Sequence, residues 1–176
     1  KLIKKFPENS YFYNLCGLAL QKSDQTNKSI KYFKKAISLE PTNFAAMNNL
    51  ANSYKGLFEY KKAEDLYIEI KKKDPTNIKV LNNYANLKKE FNKYHDAINL
   101  LLDAIKVNAK DVNVLSNIAA CFQSIGDMNR AKEYALKVLD LEPNNTHIHK
   151  FISDMLNYRK DINHLNTMRE LLHNSS

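Results

Sequence analysis

Glycine and proline are scarce: the chain of 176 residues holds three of the first and four of the second. So little chain-breaking chemistry suits a helix-rich protein of one domain or a short array. Three glycines also exclude the glycine-rich loops that cradle phosphates, and neither GxxxxGK[ST] nor GxGxxG occurs. Apolar residues make up 44% of the chain, yet none of their runs reaches the roughly 18 residues that cross a bilayer. No charged-then-apolar leader with a small-residue cleavage site opens it, so a soluble, cytoplasmic setting without membrane contact is expected. The first seven residues, KLIKKFP, lack a starting methionine and read as the tail of an earlier helix, which suggests an excerpt of a longer protein.

Reactive groups are thin as well. Cys16 and Cys121 stand far apart within helical patterns, with neither disulfide-scaffold spacing nor CxxC, and are read as small core residues. His147 and His149 point in different directions on a helix, and His164 and His173 lie nine apart, so no zinc set converges. No catalytic constellation, metal site or cofactor is expected within these residues.

Net charge is +8. It is uneven: residues 1–43 carry +5, 44–77 carry +1, 78–111 carry +2, 112–145 carry −1 and 146–176 carry +1. A nucleic-acid groove would run along the whole chain, whereas this excess sits at one end. Solvated lysines on outer helix faces are the reading, with no nucleic-acid partner.

A period is present. Pro41, Pro75 and Pro143 fall on a 34-residue frame whose missing member is Ala109. With the proline as position 32, the repeats are 10–43, 44–77, 78–111 and 112–145. Position 8 reads Gly17, Ala51, Ala85, Ala119, and position 20 reads Ser29, Ala63, Ala97, Ala131, small residues where helices approach closely. Positions 4, 7, 24 and 27 hold larger fillers, among them Met47, Leu81, Leu50, Tyr84, Phe33, Tyr67 and Leu101.

This order of small, large and proline positions resembles the tetratricopeptide repeat family. The resemblance covers residues 10–145 and implies an all-α right-handed solenoid of antiparallel helix pairs, with the first helix of each pair on the concave side. Residues 1–9 would end a preceding repeat and 146–176 would form a degenerate repeat, with helices over about 146–158 and 161–173 acting as a cap. Lys88 at an apolar position, Ala109 for proline and Ala135 for an aromatic depart from the pattern.

On a helical wheel at 100° per residue, positions 4, 7, 8 and 11 of the first helix fall on one side, and 2, 5, 6, 9, 12 and 13 on the other. The second set is expected to face the groove. There, positions 5, 6 and 9 hold eight asparagines in twelve places: Asn14, Asn48, Asn82, Asn49, Asn83, Asn117, Asn52 and Asn86. A primary amide both donates and accepts, so such a ladder can bond the backbone of an extended peptide whatever its side chains. Lys55, Lys79 and Lys89 lie beside it and favour a mildly acidic peptide.

Asn49, Asn83 and Asn117 are similar to the asparagines with which the O-linked N-acetylglucosamine transferase family holds substrate polypeptides. The carboxylate clamp of chaperone-tail binders is matched at only two of five positions. The tail from His149 through Ser153, with Tyr158, His164 and Met168 to Leu171, resembles the junction between tetratricopeptide arrays and sulfotransferase domains. That resemblance implies an alternative, the substrate-recruiting region of a larger transferase whose active site lies elsewhere. The leading expectation is a peptide-binding module, monomeric or weakly self-associating.

Overall fold

The computed structural model describes residues 5–155 and 166–170. Helices follow one another in antiparallel pairs: α1 (Ser10–Lys22) with α2 (Thr26–Leu39), α3 (Phe44–Gly56) with α4 (Tyr60–Lys73), α5 (Ile78–Glu90), then α6 (Tyr94–Val107), α7 (Val112–Ser124) with α8 (Met128–Leu141), and α9 (Thr146–Met155). A helical turn follows over 166–170. No strand occurs among the described residues.

Two local signals recur on the repeat frame and account for where helices begin and turn. Asn9, Asn43, Asn77, Asp111 and Asn145 are 34 apart. Each side-chain oxygen accepts the backbone N–H three residues on, at 2.9–3.3 Å, which satisfies one of the orphan donors of a first helix. Between helices, Asp24, Phe58, Asn92 and Gly126, again 34 apart, have φ of 56°, 61°, 56° and 82°. The next residue closes the preceding helix: Gln25, Glu59 and Asp127 donate their N–H to Leu20, Tyr54 and Phe122, each at 2.9 Å. Aspartate, asparagine and glycine enter this left-handed region readily, but phenylalanine does not.

The chain divides into two compact units, one ending at Glu90 and one starting at Phe91. In the first, Phe33, Met47, Leu50, Tyr67, Ile70, Leu81 and Leu87 are almost fully buried around Ala51, Ala63 and Ala85. Gly17 is required where α1 crosses α2, since a Cβ there would stand 2.4 Å from the ring of Phe33. In the second unit, Leu115, Ala119, Ala135, Val138, Ile148 and Ile152 form one cluster, with Phe151 and Met155 packed against it. The apolar face of α9 thereby covers α7 and α8.

Several expectations meet the structure here. Cys121 is buried, whereas Cys16 is only half-buried, and no disulfide joins them. Lys88 keeps its charge at an apolar position because its Nζ donates to Glu64 Oε1 at 2.7 Å and stands 5.1 Å from the centre of the Tyr84 ring, so α5 is joined to α4 by a half-buried ion pair. At Ala109 the helix stops without proline, since Asn108 is extended, with φ −140° and ψ 100°. The expected helix over 161–173 falls mostly outside the described residues, as do Tyr158 and His164. Met168 within the turn over 166–170 accepts a hydrogen bond from Ser153 Oγ at 3.3 Å.

Candidate functional site

The amides of the first helices form two rungs in the first unit. Asn49 Nδ2 of α3 donates to Asn14 Oδ1 of α1 at 2.9 Å, and Asn83 Nδ2 of α5 donates to Asn48 Oδ1 of α3 at 2.9 Å. Position 6 of one repeat therefore reaches back to position 5 of the repeat before. Amide partners tie successive first helices side by side.

Three of the asparagines expected to face the groove are buried, Asn14 among them. Asn48 is 2% exposed and Asn49 6% exposed, so neither opens freely onto a groove. The wheel assumes that a first helix has one packing side, its own second helix. In the stack α3 also touches α1 and α5, and these contacts take the flanks where positions 5 and 6 lie. The NH2 of Asn48 is buried with no acceptor among the described residues.

A polar network backs the first rung. Gln21 Nε2 donates to the Asn49 carbonyl at 3.1 Å and to Ser53 Oγ at 2.7 Å, and Ser53 Oγ lies 3.1 Å from Ser29 Oγ. Ser29 and Ser53 are buried, and their hydroxyls are satisfied, as burial requires.

On α5, and farther along α3, the expected residues are more open. Asn52, Asn82, Asn83 and Asn86 are half-buried, Lys55 and Lys89 likewise, and Lys79 is exposed. Asn52 Oδ1 accepts from the Tyr67 hydroxyl at 2.6 Å, which orients the amide and leaves its NH2 as the unused donor. Burial raises the Tyr67 pKa, with the nearby Glu90 charge adding to it, so this hydroxyl stays a donor. Lys89 Nζ donates to Asn86 Oδ1 at 3.4 Å, and Lys55 Nζ lies 3.2 Å from Glu90 Oε1. Asn117 lies in the second unit, half-buried on α7, where the neighbouring positions are Ser116 and Ala120.

The capping asparagines were missed on the sequence alone. Their signal was present, because Asn43, Asn77 and Asn145 stand two residues after the repeat prolines and directly before an apolar-periodic run. Among the described residues, no group of three or more histidines, cysteines or carboxylates could hold a metal ion, and no helix is long and apolar enough to cross a membrane.

Helix pairs of this kind, capped and turned on a 34-residue frame, define a tetratricopeptide-type helical repeat protein. Solved structures of that class superpose on it. PilF of Pseudomonas aeruginosa is 24% identical, with 91% of this chain and 72% of that one covered and a TM-score of 0.80. A tetratricopeptide repeat protein from Parabacteroides merdae is 17% identical over 97% of this chain and 68% of its own, with a TM-score of 0.75. YrrB, described as a TPR protein with an unusual peptide-binding site, is 16% identical over 96% of this chain and 88% of its own, with a TM-score of 0.70.

The family model of the coatomer epsilon subunit matches residues 9–167, and the chain belongs to that family. An uncharacterized protein, ycf37 of Pyropia yezoensis, is 33% identical over 58 residues. That match spans about a third of each chain, 33%.

Proposed function

We propose that the chain is a protein-binding scaffold that holds an extended polypeptide along the first helices of its amino-terminal unit. The observation that carries this reading is the strip of half-buried amides and ammonium groups on α3 and α5: Asn52, Asn82, Asn86 and Lys89, with Lys55 and the exposed Lys79. Its donors are oriented before any partner arrives, since the Tyr67 hydroxyl occupies the carbonyl of Asn52. The buried, unpaired NH2 of Asn48 adds a donor at the seam between α3 and α5 that a peptide carbonyl would satisfy. The peptide-binding site named for YrrB supports the same use of this architecture.

Asn48, Asn49 and Asn83 then have two roles, tying first helices together and forming the floor beneath the peptide. Asn117, half-buried on α7, is a separate candidate contact within the second unit. Lysines on the strip favour a mildly acidic peptide, although Glu90 offsets the charge of Lys55.

The test is enrichment of peptides from a displayed random library, followed by affinity measurements on Asn52→Ala combined with Asn86→Ala. Loss of at least about tenfold in affinity, with the circular dichroism spectrum retained, is expected. Enriched peptides that bind the double variant as tightly as the parent would overturn the reading.

A further inference from the structure

The lysines of α2 stand apart from those of the other second helices. Helices α4, α6 and α8 set cations beside carboxylates of their own helix or cap: Lys61 lies 2.8 Å from Asp65, Lys62 pairs with Glu59, Lys73 lies 2.8 Å from Glu69, Lys106 3.0 Å from Asp103 and Lys137 2.7 Å from Glu133. Helix α2, TNKSIKYFKKAISL, carries Lys28, Lys31, Lys34 and Lys35 and no carboxylate. All four are exposed.

At 100° per residue they fill a sector of roughly 120° directly opposite the buried Ser29, Phe33 and Ala36. Lys28 Nζ donates to Gln25 Oε1 at 3.0 Å, and Lys31 Nζ stands 5.1 Å from the centre of the Tyr32 ring. Lys34 and Lys35 have no partner among the described residues. Glu40, the carboxylate just past the helix, already accepts from Ser10 Oγ at 2.6 Å and Asn43 Nδ2 at 3.2 Å. Lysines three and four apart repel one another along the helix, and nothing on α2 offsets it.

We propose that this outer face of α2 is a second docking surface and that its occupant is an acidic polypeptide segment. It lies on a second helix, opposite the core, and is independent of the amide strip on the first helices. The charge is a stripe one helix wide and about 10 Å long, which matches the two or three acidic side chains of one extended strand. A membrane fits poorly: none of the apolar residues of α2 is exposed, and the exposed Asp65 and Glu69 of α4 would meet the headgroups. Lysine, a compact hydrated point charge, suits an acidic segment held without a fixed bidentate geometry.

The experiment compares two charge-matched variants of the full chain by fluorescence anisotropy with a labelled peptide of alternating glutamate and serine. Lys28→Gln, Lys31→Gln and Lys35→Gln together are expected to weaken binding about tenfold or more, while Lys61→Gln, Lys62→Gln and Lys73→Gln together weaken it less than about threefold. Thermal melts run alongside, and the α2 variant is expected to melt no lower than the parent, because a repulsion has been removed. Equal losses would reduce the effect to net charge and overturn the proposal, as would failure of the parent to bind. Binding of phosphatidylserine vesicles without binding of the peptide would also overturn it and assign the face to a membrane.

Discussion

The two units share one frame and use it differently. Both begin their first helices on an asparagine or aspartate cap and turn through a left-handed residue at the same repeat position. Residues 1–90 hold 17 lysines against nine carboxylates, whereas residues 91–176 hold ten basic and ten acidic residues, so the net charge of +8 belongs to the first unit. The first helices differ as well: α3 and α5 place Asn48, Asn49, Asn82 and Asn83 where α7 has Ser116 and Asn117. A repeat frame fixes caps, turns and small-residue crossings, and leaves the flanks of each first helix free to become polar or apolar.

The largest contrast is expected at repeat position 24. Phe33→Ala in the first unit removes a ring that is wholly buried and should destabilise by about 3–5 kcal/mol, read by chemical denaturation. Ala135→Gly at the same position of the second unit should cost only about 1 kcal/mol, because little volume is lost.

Next come the amide rungs. Asn49→Ala leaves the buried Asn14 carbonyl without its donor and should destabilise by about 1–3 kcal/mol. Asn48→Ala should cost less than Asn49→Ala, since it also removes a buried NH2 that has no acceptor. Ser116→Ala in the second unit touches only a bond back to the Val112 carbonyl, 2.7 Å away within its own helix, and should change stability by less than about 0.5 kcal/mol. If Ser116→Ala matched Asn49→Ala in denaturant melts, the rungs would have no special place in the first unit.

The left-handed turns separate the units with opposite signs. Phe58 is 77% exposed and touches Tyr60 edge-on at 6.0 Å, so Phe58→Gly should relieve backbone strain and stabilise by about 1 kcal/mol. Gly126→Ala, at φ 82° and with open space around it, should destabilise by about the same amount.

The smallest effect is a pH dependence. The Lys88 hydrogen bond holds the Glu64 carboxyl below its ordinary pKa, against the opposing effect of burial. Its stabilisation is present above the unfolded carboxylate value and is lost as pH falls through the lower folded one. Burial is the largest single effect on Lys88 and works against its charge, but the Glu64 carboxylate and the Tyr84 hydroxyl together outweigh it and raise that pKa, so its share is lost only as pH rises through the folded lysine value. Glu64→Gln should therefore flatten the acid limb of a stability profile by up to about 1 kcal/mol, an amount reduced by partial exposure. The Lys137–Glu133 pair of the second unit differs in lying within one helix, with both side chains about half exposed.

The amino-acid sequence by itself determined the helix pairs, their 34-residue spacing and the small-residue crossings, because each is written in one or two residues at a fixed offset. The fold class follows from those offsets, and the structural relatives share it. Asn43 and Asn77 were legible as caps from their place after the prolines. The fate of Asn48 and Asn49 was not, because a wheel knows only one helix, and their burial depends on α1 and α5 arriving on either side of α3. The same holds for Lys88, which reads as an error in an apolar row until Glu64 on α4 is set 2.7 Å away. Tertiary structure decided which amides are spent between helices and which remain open, since that depends on neighbours about 34 residues away along the chain.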